Sequence, residues 1–376
     1  MADCPPEQRA FLRRVLTATE DPRHLQPASR QEWRHWSAFA ASVGQHPYLP
    51  NYQGYSHHLE RLHLFLAFAA ALREGRFHGG KPASGETIKR TLRFCGQVLA
   101  SRGFADPRRH TQSDHNLDPA ISQYLRACEN SDPAPKRQQA IPAATVRRLA
   151  HHYAASADPA AQTAANLVTV AFFFLLRVGE YTPAPPNTPK KTVPLRLQDV
   201  KFWQGVEVIP ATATHQQRLA ATAVTISLAN QKNGKRGDTL HHTRTGDPHF
   251  CPVIALANAI RPIAAAPPHT PIGTTYGANG QPIRVTAAQI RGLIRHGAAL
   301  DDLESKGFHP SRIGSHSLRA GGAVALKLAG CDDTMIRKLG RWSSDTFLIY
   351  IRDQIANLTT GVATAMSHML TYHNVG

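Results

Sequence analysis

Three short stretches, far apart along the chain, carry side chains that together could act on a phosphodiester. They are LLRVGEYT around Arg177, SHSLRAGG around Arg319, and LGRWSSDTFLIYIR, which contains Tyr350. Displacement at a phosphodiester needs an in-line nucleophile, positive charge at the non-bridging oxygens and a proton for the leaving alkoxide. Two guanidinium groups can bind those oxygens bidentately and remain charged. The residue types therefore indicate phosphoryl transfer, with Arg177 and Arg319 holding the phosphate and Tyr350 attacking it.

Two further side chains could assist that chemistry. A phenol such as Tyr350, with an ordinary pKa of about 10, is a poor nucleophile until a base or a positive field draws off its proton. His316 lies one helical turn before Arg319, where it could assist proton transfer or hydrogen-bond the phosphate, and the sequence leaves both roles open. Glu180, three residues after Arg177, is expected to orient that guanidinium rather than to react.

Each of these residues alone has an ordinary structural explanation. A single Arg after an apolar run is usually a cation at the end of a helix, and a single Tyr near a carboxy-terminal helix usually lies at the rim of a core. It is the order and spacing of the set that is specific, and together the stretches resemble the tyrosine recombinase, or phage-integrase-like, family. In that family an Arg followed by an acid, then an HxxR pair, then a Tyr form one site.

The resemblance covers residues 143–376, and the helical region before them also resembles that family's core-binding domain. It implies a general acid for the departing 5′ hydroxyl, a Lys on a β-hairpin turn. The segment SLANQKNGKRG offers Lys232 and Lys235, and we favour Lys232 because it precedes the turn.

The chain departs from the family at one position. Family members usually have His or Trp nine residues before the nucleophilic Tyr, whereas this chain has Arg341 there, followed by Trp342. Either Arg341 donates to the phosphate, or the turn shifts and Trp342 takes its place. The GRW motif at residues 340–342 is more similar to eukaryotic mobile-element recombinases than to bacterial phage integrases.

The composition predicts a polyanionic partner. The 376 residues include 43 Lys and Arg against 26 Asp and Glu, which gives a net charge of +17. Double-stranded DNA fits best, because neutralising its phosphates releases condensed counterions. An anionic membrane is the competitor, but no basic amphipathic helix or lipidation motif supports it. With an apolar run of only Leu167–Leu176 and no secretory signal, we expect an intracellular protein that has no membrane partner and is nuclear if its source is eukaryotic.

Cysteine and histidine spacing argues against a metal site. Five scattered cysteines form no CxxC pair, and the histidine doublets lack further ligands, so we expect no metal. With DNA as the expected substrate, we also expect no other cofactor and no small-molecule substrate.

The predicted fold is mostly α with a small antiparallel β-sheet (α+β). We expect a flexible arm over residues 1–28, a helical core-binding domain over 29–130, a linker over 131–142 and a catalytic domain over 143–376. Predicted catalytic-domain helices cover 144–155, 160–176, 287–303, 317–328, 334–339 and 346–370, with strands in LRLQDVKF, VEVIP, AVTISLA and DTLHHT.

Two further surfaces are candidates for contacts with DNA or with another protomer. Lys89 and Arg93 share one face of the helix that opens at SGET, where they could contact DNA or form an ordinary solvated face. The last predicted helix could dock on a neighbouring protomer or pack on its own core through four apolar residues, Ile355, Leu358, Val362 and Met366.

The sequence thus predicts a site-specific recombinase or integrase of mobile-element type. It would cut and rejoin DNA through a 3′-phosphotyrosine, without metal or ATP, as a tetramer on DNA. The alternatives are a non-catalytic DNA-binding protein on the same scaffold and a type IB topoisomerase that relaxes strands.

Overall fold

The computed structural model describes residues 31–52, 57–110, 113–134, 138–184, 192–231 and 236–352. Contacts between residues divide the chain into two compact units, Met1–Pro135 and Lys136–Gly376. Helices dominate both units, and the second unit adds a small antiparallel sheet, so the predicted fold class is confirmed. The predicted arm, residues 1–28, lies outside the described residues.

The first unit is helical around an aromatic core. Its elements are α1 (Gln31–Ser42), α2 (His58–Arg73), α3 (Gly85–Ser101), a hairpin of β1 (Arg109–His110) and β2 (Ser113–Leu117), and α4 (Pro119–Ser131). Trp36 is fully buried, and its ring centroid lies 4.7 Å from that of Phe65 and 5.3 Å from that of Phe68. The Ser84 hydroxyl accepts a hydrogen bond from the Thr87 backbone N–H and so caps α3. The β1–β2 hairpin was not predicted, because its strands are short and polar.

The second unit holds the remaining elements. Its helices are α5 (Ala143–Tyr153), α6 (Pro159–Phe173), α7 (His215–Ala220), α8 (Pro252–Ile260), α9 (Ala287–Leu300), α10 (Ser315–Leu328), α11 (Asp333–Gly340) and α12 (Leu348–Arg352). Its strands are β3 (Val200–Gln204), β4 (Glu207–Val208), β5 (Ala223–Leu228), β6 (Asp238–Thr243), β7 (Thr274–Tyr276) and β8 (Pro282–Arg284). Single 3-10 turns cover Val178–Glu180, Leu197–Asp199, Arg261–Ile263, Pro310–Arg312 and Asp345–Phe347.

The strands β3 to β6 form one antiparallel sheet in the order β4-β3-β5-β6. The inner strand β5 is buried at nearly every position, as expected for β-branched residues inside a sheet. It pairs with β6 so that Leu228 faces Asp238. The predicted Asn-Gly turn between these two strands lies outside the described residues.

Two helices end three residues earlier than predicted, and the cause is the same in both. Helix α6 ends at Phe173 rather than Leu176, and α9 ends at Leu300 rather than Leu303. After α6, Leu175 takes a left-handed conformation with a φ of 49°, and the Leu176 N–H bonds back to the Ala171 carbonyl at 3.0 Å. This is the Schellman ending, which glycine usually provides. Leucine is not the residue expected at such an ending, and the apolar pattern continues to Leu176. The sequence therefore predicted a helix that is too long.

Helix α10 packs very closely on the elements before it, because two glycines face them. A Cβ on Gly321 would lie 2.2 Å from the Ile141 carbonyl oxygen, and one on Gly322 would lie 2.5 Å from the Phe172 carbonyl oxygen. Any larger side chain would push the helices apart. The RAGG sequence therefore sets how near Arg319 comes to the end of α6.

The predicted carboxy-terminal helix begins differently from the expectation. A 3-10 turn occupies Asp345–Phe347, and only then does α12 start at Leu348. Residues from 353 onward lie outside the described residues, and with them the four apolar positions predicted to dock, Ile355, Leu358, Val362 and Met366. Within the described part of the chain, none of the helices combines the length and the apolar character of a transmembrane span.

Candidate active site

The carboxylate of Glu180 lies at the centre of a cluster of arginines. Glu180 ends the 3-10 turn that follows α6, and its side chain is fully buried. Its Oε2 accepts hydrogen bonds from the Arg177 backbone N–H at 2.8 Å and from Nη2 of Arg341 at 3.0 Å. Its Oε1 accepts from Nη1 of Arg177 at 3.0 Å. Glu180 thus holds two guanidiniums, whereas the sequence predicted a link to Arg177 alone.

Arg319 is almost completely buried on α10, with 1% of its surface exposed. Its two terminal nitrogens donate to the backbone carbonyls of Leu175 and Gly340. The ring of Trp342 covers the guanidinium, with its centroid 4.1 Å from Cζ. Burial, reinforced by the charges of Arg177 and Arg341, lowers the pKa of Arg319 to about 9. At neutral pH Arg319 is therefore a preformed cation that is held mainly by neutral groups.

Arg341 occupies an unusual backbone position at the end of α11. Its φ is 56°, in the left-handed region, and the Trp342 N–H bonds back to the Arg337 carbonyl as in a Schellman ending. A non-glycine residue there costs about 1–2 kcal/mol. The Arg341 side chain is buried, donates to Glu180 and to the Leu175 carbonyl, and leaves Nε and Nη1 without a partner among the described residues. Burial lowers the pKa of Arg341.

Arg341 and Trp342 both lie in the cluster, in different places. Arg341 faces Glu180, while the ring of Trp342 lies against Arg319, with its centroid 6.4 Å from that of Tyr350. This arrangement depends on Gly340, since a Cβ there would lie 1.6 Å from Cζ3 of Trp342. The two alternatives considered from the sequence are therefore not exclusive in space.

Tyr350 lies on α12, with its hydroxyl in hydrogen-bond contact with Nε2 of His316. Their ring centroids are 5.3 Å apart in an edge-on arrangement. Tyr350 is half-buried, whereas His316, near the start of α10, is exposed. The structure thus brings seven sequence-predicted residues into one site of the second unit: Arg177, Glu180, His316, Arg319, Arg341, Trp342 and Tyr350. The predicted general acid Lys232 and its alternative Lys235 lie outside the described residues.

A cavity of about 360 Å³ opens beside Arg341 and Trp342. Its lining includes Arg337 and Lys338 of α11, together with Asp238 at the start of β6. Sequence reasoning missed Arg337 and Lys338, although the basic run RKLGR was a visible signal. Three of its four charged lining residues, Arg337, Lys338 and Arg341, are cationic. No cluster of His, Cys, Asp or Glu suited to a metal ion occurs among the residues that the structure describes.

Lys89 and Arg93 belong to the first unit, where both are exposed on α3. Nζ of Lys89 lies 3.2 Å from Oε1 of Glu129, so part of its charge is already compensated. Arg93 forms no ion pair with any residue in the described ranges. Of the two, Arg93 is the better candidate for a contact with phosphate.

Comparisons with known proteins give a distant likeness among solved structures. No family model matches the chain, and no curated protein matches it. The Tn1549 transposon integrase in complex with transposon right end DNA is 13% identical, with a TM-score of 0.43 over 80% of this chain and 85% of that one. The XerH site-specific recombinase bound to palindromic difH substrate is 12% identical, with a TM-score of 0.47 over 80% of this chain and 71% of that one.

Proposed function

We propose that this protein is a tyrosine-type site-specific DNA recombinase that cuts and rejoins DNA through a phosphotyrosine at Tyr350. The observation that carries the proposal is the contact between the Tyr350 hydroxyl and Nε2 of His316. Three arginines lie beside it, and two of them, Arg177 and Arg341, pair with the buried carboxylate of Glu180. A nucleophile with a base, next to fixed cations, is the arrangement that phosphoryl transfer requires.

We propose that the cut uses these side chains in one concerted step. Nε2 of His316, unprotonated, accepts the phenolic proton while the Tyr350 oxygen attacks phosphorus. Arg177 and Arg319 stabilise the charge that develops on the non-bridging oxygens. Arg341, whose Nε and Nη1 have no hydrogen-bond partner among the described residues, supplies further positive charge. The bond from phosphorus to the 5′ oxygen breaks, and that oxygen takes a proton from Lys232.

Rejoining is the reverse reaction. The products of the cut are a 3′-phosphotyrosine and a free 5′ hydroxyl, and a 5′ hydroxyl from a partner duplex then attacks the phosphotyrosine. One phosphodiester is exchanged for another, so the bond energy is conserved and no ATP is consumed. Exchange between two duplexes requires several protomers, and a tetramer on DNA is the assembly we propose. The source we propose is a mobile element.

The test is covalent trapping on duplexes from the ends of the element that encodes the protein. A nicked suicide duplex lets the cut fragment diffuse away, so the protein should remain attached to DNA after denaturation. The adduct should disappear in Tyr350→Phe while DNA binding persists. If the wild-type protein binds the authentic ends but forms no adduct, it is a non-catalytic DNA-binding protein and the proposal is wrong.

Product analysis separates the remaining activities. A recombinase should exchange strands between two duplexes only when several protomers assemble. A type IB topoisomerase would instead relax supercoiled DNA as a monomer and religate the original strand. Strand exchange that rises steeply with protein concentration supports the recombinase, whereas relaxation alone contradicts it.

Arg93 and Lys89 are proposed to contact DNA phosphates in the first unit. Arg93→Ala should weaken binding to all duplex sequences alike and reduce the slope of log K against log salt by about 1. Glu86→Ala, a change at another exposed residue of α3, serves as the control for helix integrity. If the salt slope of Arg93→Ala is unchanged, this face of α3 is an ordinary solvated face and does not contact DNA.

A further inference from the structure

Helix α10 carries both His316 and Arg319, and the Ser317 hydroxyl caps one end of its first turn by accepting the Gly314 N–H at 3.1 Å. Its N-cap residue is Gly314, which offers no side-chain acceptor for the N–H groups of the first turn. The Ser317 N–H is satisfied locally, by the Gly314 carbonyl at 2.9 Å. The N–H of His316 itself needs an acceptor from elsewhere.

That acceptor is Gln138, which is 178 positions earlier in the chain. Its side-chain Oε1 lies 3.1 Å from the His316 backbone nitrogen. The fit is close, because a Cβ on Gly314 would lie 2.8 Å from Nε2 of Gln138. Gly314 therefore leaves the space into which the Gln138 amide enters, and Gln138 provides the cap that Gly314 lacks.

The neighbours of Gln138 hold the same region from the same side. The Gln139 N–H donates to the Arg312 carbonyl at 2.8 Å, and its side-chain carbonyl accepts from the His309 N–H at 2.7 Å. Two residues later the Ile141 N–H donates to the Ser317 carbonyl at 3.2 Å. Residues 138–141 thus form a strap along the loop that leads into α10. Within this strap, only Gln138 bonds to the backbone of His316.

We propose that Gln138 is a positioning residue: by capping α10 at His316 it holds the imidazole against the Tyr350 hydroxyl. This inference rests on the proposed function. A cap fixes the first turn of a helix, and the imidazole projects from that turn, so loss of the cap shifts or loosens the base. Small displacements of a catalytic group have large effects on rate, because proton transfer needs hydrogen-bond distance.

The experiment measures single-turnover adduct formation by the full-length protein on the nicked suicide duplex, at saturating protein. Gln138→Ala should form the adduct between roughly tenfold and a hundredfold more slowly, with DNA affinity unchanged. Gln138→Glu keeps an acceptor oxygen and should restore most of the lost rate. Gln139→Ala is the matched control, since it breaks strap bonds to Gly307 and His309 but leaves the cap.

Each outcome decides between positioning and simple support. If Gln139→Ala lowers the melting temperature as much as Gln138→Ala but cleaves at the wild-type rate, the cap acts on His316. If both variants slow cleavage equally, or Gln138→Ala cleaves as fast as wild type, Gln138 has no positioning role and the proposed function still stands. Failure of the wild-type protein to form any adduct would instead overturn the proposed function, and this inference with it.

Discussion

The two halves of the candidate site differ in how firmly they are held. In the cationic half, Glu180 is fully buried, and Arg319 and Arg341 are 1% and 8% exposed, with backbone carbonyls fixing both guanidiniums. In the nucleophilic half, His316 is exposed, and Tyr350 is half-buried on α12. Under the proposed function, the charges that stabilise the transition state are thus in place before DNA binds, as electrostatic preorganisation requires. The proposed nucleophile lies in the more exposed half of the site.

The largest effect should come from the geometry of the buried cations. Arg319→Lys keeps a positive charge but loses the two-donor fork, so it cannot bind the Leu175 and Gly340 carbonyls and a phosphate together. Adduct formation should slow by roughly 10²–10³-fold, while DNA affinity changes little. Arg291→Lys, at an exposed position of α9, should leave the rate unchanged. If Arg319→Lys cleaved at the wild-type rate, the preformed fork would have no catalytic role.

The next effect concerns stability. Glu180→Gln preserves the shape of the side chain but leaves two guanidiniums without their buried counter-charge, which should lower the free energy of unfolding of the second unit by about 3–5 kcal/mol. Asp345→Asn is the control in the same unit, because its ion pair with Arg337 is exposed and should contribute less than about 1 kcal/mol. Denaturant unfolding measures both variants. Equal losses would mean that burial does not distinguish the two pairs.

A substitution that disturbs the close packing of α10 on α6 should have a smaller effect on stability. Gly322→Ala places a methyl group 2.4 Å from Cδ2 of Leu175, so we expect a loss of about 1–3 kcal/mol and slower cleavage as Arg319 moves away. Gly292→Ala, on helix α9, meets nothing within 4 Å and should stabilise the protein by up to about 1 kcal/mol. Thermal unfolding of both variants tests this contrast. A neutral Gly322→Ala would show that the contact between α10 and α6 tolerates expansion.

The smallest expected effect is the pH dependence of the rate of adduct formation. The pKa of Arg319 is lowered by burial to about 9 in the folded protein, so its charge is present below that pH and is lost as the pH rises through it. The second-order rate of adduct formation at low protein concentration, which reports the free protein, should therefore fall above about pH 9. At saturation, bound phosphate favours the charged form and should move the fall to higher pH. Identical pH profiles under both conditions would contradict this account.

The same titration has the opposite sign for stability. Because the folded pKa of Arg319 lies below its unfolded value, the unfolded chain binds more protons above about pH 9. The contribution of Arg319 to the free energy of unfolding therefore rises with pH while activity falls. Comparing wild type with Arg319→Met between pH 8 and 10 isolates that contribution, and their difference in stability should shift in favour of wild type as the pH rises.

Much of the fold and the list of candidate residues could be predicted from local patterns. Apolar periodicity located most helices, and the motifs around Arg177, Arg319 and Tyr350 named side chains that lie together in the structure. Motif spacing works because a specific chemistry demands specific residue types in a fixed order. It could not decide between Arg341 and Trp342, because adjacent residues at a left-handed turn diverge in space.

Backbone groups and distant partners escaped prediction for a physical reason. The Leu175 carbonyl accepts from two guanidiniums, yet any residue has a carbonyl, and only the left-handed φ of Leu175 marks it. The cap at His316 comes from a Gln with no motif of its own. The ends of α6 and α9 were missed because the left-handed residues that follow them are Leu175 and Asp302, whereas the expected residue at such endings is glycine.

The most direct test of the central claim is to identify the residue that becomes attached to DNA. The trapped adduct would be digested with nuclease and trypsin, and the modified peptide sequenced by mass spectrometry. The account predicts a nucleotide remnant on WSSDTFLIYIR, a peptide in which Tyr350 is the only tyrosine, together with a free 5′ hydroxyl on the released strand. A remnant on any other residue, or a 5′ rather than a 3′ linkage to the protein, would contradict it.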